Sequence, residues 1–259
     1  MLPTLTLVKI GGDILADDAL LDQFLTAFVH QPGPKLLVHG GGQRAAALCE
    51  QLGIPVRTTG GRRITDAATL EVVTMVYAGL VNTQLTARLN AHGCRALGLT
   101  GADLDMIRAR KRAVGAVDFG FVGDVERIDT TALRALLEQQ VVPAFCALTH
   151  DGAGQLLNTN ADTIATELAL ALAAHYRVSL HYCGRVPGVL TDAADHRTVL
   201  PVLRRARYAE LLREARIHSG MLPKLENAFR AAEAGIDQVS IGGPDHWLTT
   251  SGTRLHPST

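Results

Sequence analysis

Three successive glycines, Gly40, Gly41 and Gly42, follow the apolar run Leu36, Leu37, Val38 and precede the helix-forming run Ala45, Ala46, Ala47, Leu48. Glycine lets a backbone come close to an anion, and the N–H groups and dipole at the following helix start favour negative charge. A tight turn needs one such residue or two; three at a strand end suit an anion site. Two lysines stand at comparable places. Lys9 lies near the end of the apolar strand Thr4–Ile10, just before Gly11 and Gly12. Its ammonium is costly to bury alone and is read as meeting an anion at the strand's carboxyl end, where open α/β sheets collect ligands. Lys224 follows Pro223, which suits a first helical position. A cation is unfavourable at that end of a helix dipole unless an anion shares the site. Asn158 lies just outside a helix start that Asn160 caps, and Asp162 falls in the first turn. Acid there is ordinary dipole chemistry, so Asp162 alone decides nothing, and Asn158 is the more suggestive residue. Arg62 and Arg63 sit on a hairpin about Gly60 and Gly61; a solvated tip and a ligand-facing pair both remain open.

The elements that must hold these groups alternate between strand and helix. Strands are expected at 4–10, 36–39, 95–99, 141–145, 178–183, 237–243 and 252–255, with short ones between 106 and 127 broken by Gly115, Gly120 and Gly123. Helices are expected at 17–30, from about Ala45 to about 52, at 67–92, 132–139 with Thr130 as cap, from Ala161, near 208–214, and from Pro223 to Gly235. The long helix after Asp66 shows an apolar stripe of Leu70, Val73, Tyr77, Leu80, Val81 and Leu85, free to pack on the sheet or on a second subunit. This alternation predicts an α/β fold, an αβα sandwich on a central, mostly parallel open sheet.

Composition narrows the function. The 259 residues are 47% hydrophobic, enough for one large α/β unit. Basic and acidic residues balance at 25 each, and the longest basic clusters are Arg110-Lys111-Arg112 and Arg204-Arg205 with Arg207, which argues against nucleic acid as partner. No apolar run is long enough to span a membrane, and the N-terminus reads directly into a strand rather than a signal peptide. Cys49, Cys94, Cys146 and Cys183 are too dispersed for a zinc site or a disulfide framework. The expectation is a reduced, cytoplasmic enzyme without a metal site of its own. The glycine spacing matches neither the dinucleotide fingerprint nor the P-loop, so a dehydrogenase is disfavoured.

Five segments in order, Lys9-Ile10-Gly11-Gly12, Val38-His39-Gly40-Gly41-Gly42, Gly61-Arg62-Arg63-Ile64-Thr65, Asn158-Thr159-Asn160-Ala161-Asp162 and Ser219-Gly220-Met221-Leu222-Pro223-Lys224, resemble the acetylglutamate kinase family, of the amino acid kinase fold. The resemblance runs from about Leu5 to Arg254. It implies one domain, with 1–175 binding the acylglutamate and 176–259 binding ATP, Mg²⁺ being carried with the nucleotide. It makes Lys9, Lys224 and Asp162 catalytic, the lysines on the transferring phosphoryl group and Asp162 orienting both. It places Gly11, Gly12, Gly184 and Lys224 on the nucleotide, with Gly11, Gly12 and Gly41 offering N–H donors to phosphate. Gly41, Gly42, Arg63 and Asn158 would hold the substrate. The implied reaction is phosphorylation of the γ-carboxylate of N-acetyl-L-glutamate in arginine synthesis, by a homodimer without membrane or nucleic-acid partners.

Departures from the pattern carry their own expectations. The family usually places Thr-Asp or Ser-Asp before Val186-Pro187-Gly188, where this chain has Gly184 and Arg185. Only Met1, Leu2 and Pro3 precede the first strand, which implies no feedback by arginine and a dimer rather than a hexamer. Arg62 replaces a commonly apolar residue, and with Tyr182-Cys183 resembles a subgroup suspected of using N-succinyl-L-glutamate, whose distal carboxylate Arg62 would meet. Other carboxylate kinases of the fold, such as one acting on an aminoadipate derivative, and a silent ligand-binding regulator are the remaining readings; the three charged residues at positions 9, 162 and 224 speak against the last.

Overall fold

The apolar strand at the N-terminus lies in the middle of the molecule. A computed structural model describes residues 1–192, 194–214, 216–217, 220–249 and 251–257. In it Thr4–Ile10 (β1) is buried from Leu5 onward and pairs in parallel on both sides, the environment a continuous apolar run requires. Its neighbours are Lys35–His39 (β2) and Arg177–Cys183.

The remaining strands, in chain order, are Thr58–Thr59 (β3), Arg62–Arg63 (β4), Ala96–Leu99 (β5), Ile107–Lys111 (β6), Gly123–Ile128 (β7), Val142–Cys146 (β8), Leu148–His150 (β9), Leu156–Asn158 (β10), Arg177–Cys183 (β11), Val202–Arg204 (β12), Gln238–Gly242 (β13) and Thr253–His256 (β14). The central sheet has eight strands in the order β12-β14-β13-β11-β1-β2-β8-β5. It is parallel except where β14 runs against β13. The chain first builds from β1 toward β2 and later returns to β11 on the other side. The strand order therefore reverses between β1 and β11, and a crevice opens there at the carboxyl ends. A four-stranded sheet, β10-β9-β6-β7, rims one side of that crevice, and the β3–β4 hairpin stands over it. Gly60 and Gly61 turn that hairpin at φ 57° and 75°, the left-handed pair a two-residue turn needs.

Helices 18–30, 42–51, 161–172 and 222–233 cover the faces. Phe24 and Phe28 of Asp18–His30 are fully buried and stacked 5.4 Å apart. Thr166 of Ala161–Leu172 donates to the Asp162 carbonyl and meets the Tyr182 hydroxyl at 2.5 Å, so the helix is pinned to β11 beneath it.

Four local readings are corrected. The helix at 67–91 is not uniform: Ala67–Thr74 and Thr83–Ala91 are α-helical, and Met75–Asn82 between them is a π-helical segment. The wider turn shifts the phase of the apolar stripe. Val76, Tyr77 and Val81 face inward, and Leu80 is rotated out to 42% exposure. Helix Thr130–Glu138 is capped by Asp129, whose carboxylate accepts the Thr131 N–H, not by Thr130. Gly123 begins β7 instead of breaking it, and β12 forms where no strand was expected.

Candidate active site

Three charged side chains from three elements meet at the mouth of the crevice. Lys9 is the penultimate residue of β1, Asp162 lies in the first turn of Ala161–Leu172, and Lys224 in the first turn of Leu222–Glu233. Lys9 Nζ is 2.9 Å from Asp162 Oδ1, and Lys224 Nζ is 3.4 Å from the same oxygen. All three side chains are nine-tenths or nearly so buried. Burial alone would raise the Asp162 carboxyl, but the two ammonium groups outweigh it and hold the pKa at about 2. Burial lowers Lys224, and Asp162 opposes that shift. Lys224 Nζ also stands 5.6 Å from the centre of the Tyr182 ring, which floors the site. Two cations on one carboxylate leave a surplus positive charge, the condition for receiving an anion. Ser219, part of the motif ending in Lys224, lies outside the described residues.

A cavity of about 280 Å³ opens beside this cluster, lined on one side by Lys9 and Gly12, with Gly41, Arg62, Arg63 and Asn158 among its walls. Arg63 Nη2 donates to the Gly42 carbonyl at 2.8 Å, and Nη1 is buried with no hydrogen-bond partner among the described residues. An unpaired guanidinium N–H inside a cavity is expensive unless a ligand accepts it. Asn158 is held from two sides: its N–H donates to the Phe121 carbonyl at 2.9 Å and Nδ2 donates to Thr65 Oγ1 at 3.0 Å. Helix Gly42–Gln51 begins at the cavity with Gly41 before it. A Cβ at Gly41 would lie 2.7 Å from the Tyr77 ring, so glycine is required for close packing there.

The sequence reading of the Gly11 amide as a phosphate donor needs correction, and the Gly184 amide is engaged in the same way. Gly11 N–H donates to the Cys183 carbonyl at 2.9 Å, and Gly184 N–H to the Gly242 carbonyl at 2.9 Å. Both extend the sheet's ladder by one residue, so their contribution to a ligand is open space and not an N–H. Gly12 and Gly41 border the cavity. Cys183 is fully buried, and burial drives its thiol well above the ordinary value, so it is an inert core residue.

Several wall residues carried no sequence signal. Tyr77 is one: it reads as part of an apolar stripe, not as the wall of a site. Arg112 is another. It reads as part of a basic surface run, yet it lines the cavity with its guanidinium on both oxygens of Asp124. Arg62, left open in sequence, stands half-buried on the same wall. Burial lowers its pKa, Arg112 adds to that, and Asp124 opposes it. A second, smaller apolar cavity of about 210 Å³ lies beyond β11, formed by Val186, Gly188, Val189, Leu190, Ile217 and Met221 with Arg216 at its edge.

Comparisons with known proteins agree with this geometry. A model described as the amino acid kinase family matches residues 4–243. Acetylglutamate kinase of Bacteroides fragilis is 51% identical over 251 residues, 97% of this chain and 96% of that protein. Acetylglutamate kinase of Phocaeicola vulgatus is 52% identical over 237 residues, 92% of each. Among solved structures, smu.665 from Streptococcus mutans UA159 superposes with a TM-score of 0.81 at 29% identity, over 98% of this chain and 99% of that one.

Proposed function

The chain belongs to the amino acid kinase family and, within it, to the acetylglutamate kinases; from that premise we infer how its residues divide the work of phosphorylating N-acetyl-L-glutamate with ATP, a step of arginine biosynthesis. The observation that carries the assignment of roles is the Lys9–Asp162–Lys224 cluster beside a cavity with an unsatisfied arginine. The nucleophile is the substrate's side-chain carboxylate, with an ordinary pKa near ~4.3. It is ionised at neutral pH, so the protein need not remove a proton. One carboxylate oxygen bonds to the γ-phosphorus, the bond from that phosphorus to the β,γ-bridging oxygen breaks, and ADP leaves with the electron pair. The products are an acyl phosphate and ADP. What such a transfer needs is two anions in line and a stabilised transferring group.

In this reading Lys9 and Lys224 contact the phosphoryl oxygens and Asp162 fixes both ammonium groups. Arg63 takes the α-carboxylate of N-acetylglutamate through the unpaired Nη1, with Asn158 and the amides following Gly41 and Gly42 completing that end. Gly11, Gly12 and Gly184 leave the space in which the phosphates lie. The apolar pocket from Val186 to Leu190 fits a purine ring. Residues 1–175 thus serve the acylglutamate and 176–259 the nucleotide. Mg²⁺ comes with ATP as part of that substrate, bridging phosphate oxygens.

The proposed assembly is a homodimer in the cytoplasm. β5 is an open edge of the central sheet, and the helix beside it is fastened there by Asn82 Nδ2 on the Leu99 carbonyl and by Asn90 on both polar groups of Ala96. Met75, Leu80 and Leu97 are exposed on these two elements, apolar surface that a second copy would cover. The free, buried thiols of all four cysteines suit a reducing compartment.

The test is ADP release from ATP and Mg²⁺ with N-acetylglutamate, hydroxylamine trapping the acyl phosphate as a hydroxamate. Hydroxamate formed in step with ADP supports the assignment. ADP without hydroxamate, or neither, would overturn it.

A further inference from the structure

Gly184 and Arg185, which stand where the family usually has Thr-Asp or Ser-Asp, take part in one contact between separate segments. At the carboxyl ends of β1 and β11 the ladder stops after the Gly11 to Cys183 and Gly184 to Gly242 hydrogen bonds. Beyond it, side chains hold the loops. Asp13 Oδ2, on the short helical turn Gly12–Leu15 that follows β1, accepts the Arg185 N–H of the loop after β11 at 2.6 Å. The Arg185 guanidinium reaches back to Asp17 Oδ2 at 2.9 Å. Asp17 is itself fixed, since its Oδ1 caps helix Asp18–His30 by accepting from Ala19 and Leu20. Two carboxylates of one segment therefore grip one residue of the other, by its backbone and by its side chain.

The flanking glycines make room for this contact. A Cβ at Gly11 would come within 2.2 Å of Asp13 Oδ1, and one at Gly184 within 3.2 Å of Asp13 Oδ2. The next residue, Val186, opens the apolar pocket read above as the purine site. On the other loop, Gly12 borders the cavity of Lys9. Neither Asp13 nor Arg185 lines that cavity. The contact thus sets the distance between the phosphate end and the base end of the nucleotide site without touching the acylglutamate side.

We propose that Asp13 and Arg185, braced by Asp17, form a latch between the Gly11–Gly12 loop and the 184–190 loop, and so are positioning residues for the nucleotide alone. The inference rests on the nucleotide assignment given under Proposed function. Without the latch the purine pocket and the phosphate loop are no longer held in register, and nucleotide binding must order them.

The test is calorimetric titration of the full chain with ADP, and separately with N-acetylglutamate, for the native protein and Asp13→Ala, Asp13→Asn and Arg185→Ala variants. Asp13→Ala should weaken ADP about tenfold, the scale of one charge-assisted hydrogen bond, and leave N-acetylglutamate within about twofold. Asp13→Asn keeps an oxygen acceptor for the Arg185 N–H and should restore most of the ADP affinity. Arg185→Ala should weaken ADP less than Asp13→Ala, and its effect should vanish in an Asp17→Asn background. Unchanged ADP affinity in Asp13→Ala would overturn the latch, as would equal weakening of both ligands, which marks a general structural role. A native protein that binds no ADP would instead overturn the nucleotide assignment, and the latch with it.

Discussion

Lys9 and Lys224 direct both ammonium nitrogens at a single oxygen, Asp162 Oδ1, and do so from a strand and a helix that are distant in the chain. A shared carboxylate keeps two like charges close together in a buried place, and leaves each with donors to spare. Removing it leaves the lysines facing one another unpaired. Asp162→Asn is therefore expected to lower kcat by about 10²–10³-fold, the cost of losing a positioned electrostatic group. It should also lower stability by about 3 kcal/mol, since one partner of a buried ion cluster is gone. Steady-state ADP release and denaturant unfolding read the two effects. A variant with near-native kcat would remove Asp162 from the proposed machinery.

Arg63 and Arg62 are adjacent in sequence but differ in their partners. Arg63 donates to Gly42 O and has a buried nitrogen without an acceptor. Arg63→Leu should raise the KM for N-acetylglutamate by roughly 10–100-fold, the range of a charged hydrogen bond, with the KM for ATP within about twofold. Among the described residues Arg62 shows no such contact, and an acetyl group would offer it no charge. Arg62→Leu should change the KM for N-acetylglutamate by less than about threefold. Assaying N-succinylglutamate in parallel checks the selectivity idea. An unchanged acetyl-to-succinyl preference in Arg62→Leu would discard a role for Arg62 in reading a distal carboxylate.

How much of this was legible in sequence depends on whether the meaning of a residue is local. Lys9 could be read because a cation near the end of an apolar strand, followed by two glycines, conflicts with burial unless an anion is near. Lys224 could be read because it opposes the dipole of its own helix. Asn160 was a cap by type and place, and it accepts the Thr163 N–H. Asp162 was ambiguous for the same reason, since acid in a first turn explains itself without a partner. Tyr77, Arg112 and Asp13 could not be read. Tyr77 reads as one residue of an apolar stripe, and only its packing against Gly41 brings it to the cavity wall. Arg112 becomes a wall residue only because Asp124 on the neighbouring strand holds it. Asp13 meets a residue 172 positions away. The Gly11 amide was misread because the sheet ladder, a tertiary feature, claims it first.

The π-helical phase shift also predicts the assembly. It turns Leu80 outward, near the open edge of β5 and the exposed Leu97. If the proposed homodimer forms through this surface, Leu80→Glu is expected to convert it to a monomer, because a charge buried at an apolar contact is not repaid there. Light scattering after size exclusion measures the mass directly. A native protein that elutes as a monomer, or a Leu80→Glu variant that stays dimeric, would move the interface elsewhere or dismiss it.

Buried histidines predict how stability changes with pH. Between β11, β13 and helix His246–Thr249, Ser240 Oγ lies 2.7 Å from His181 Nδ1 and 2.8 Å from His246 Nε2. His246 Nδ1 is 2.8 Å from the Gly243 carbonyl, so that nitrogen carries the proton, and Nε2 must accept from the serine hydroxyl. Ser240 Oγ in turn accepts from His181 Nδ1–H, and the chain closes only while His246 Nε2 carries no proton. Burial, with the neighbouring His246, lowers His181 to about 3; burial lowers His246 to about 4, although the Gly243 carbonyl and Asp245 oppose the shift. His39 is lowered by burial in the same sense. In the unfolded chain a histidine titrates near 6.5. Above that value both states are neutral and the stability is complete. As pH falls below it, the unfolded chain takes up protons that the folded one refuses, and stability is lost at up to about 1.4 kcal/mol per pH unit for each histidine. From pH 7.5 to 5 the loss from His181 and His246 together should reach about 4 kcal/mol. Denaturant midpoints at several pH values measure it, and His246→Gln should remove about 2 kcal/mol of the difference between the two ends whatever its effect on stability at pH 7.5. A native protein equally stable at pH 7.5 and 5 would show that the rings are not held neutral.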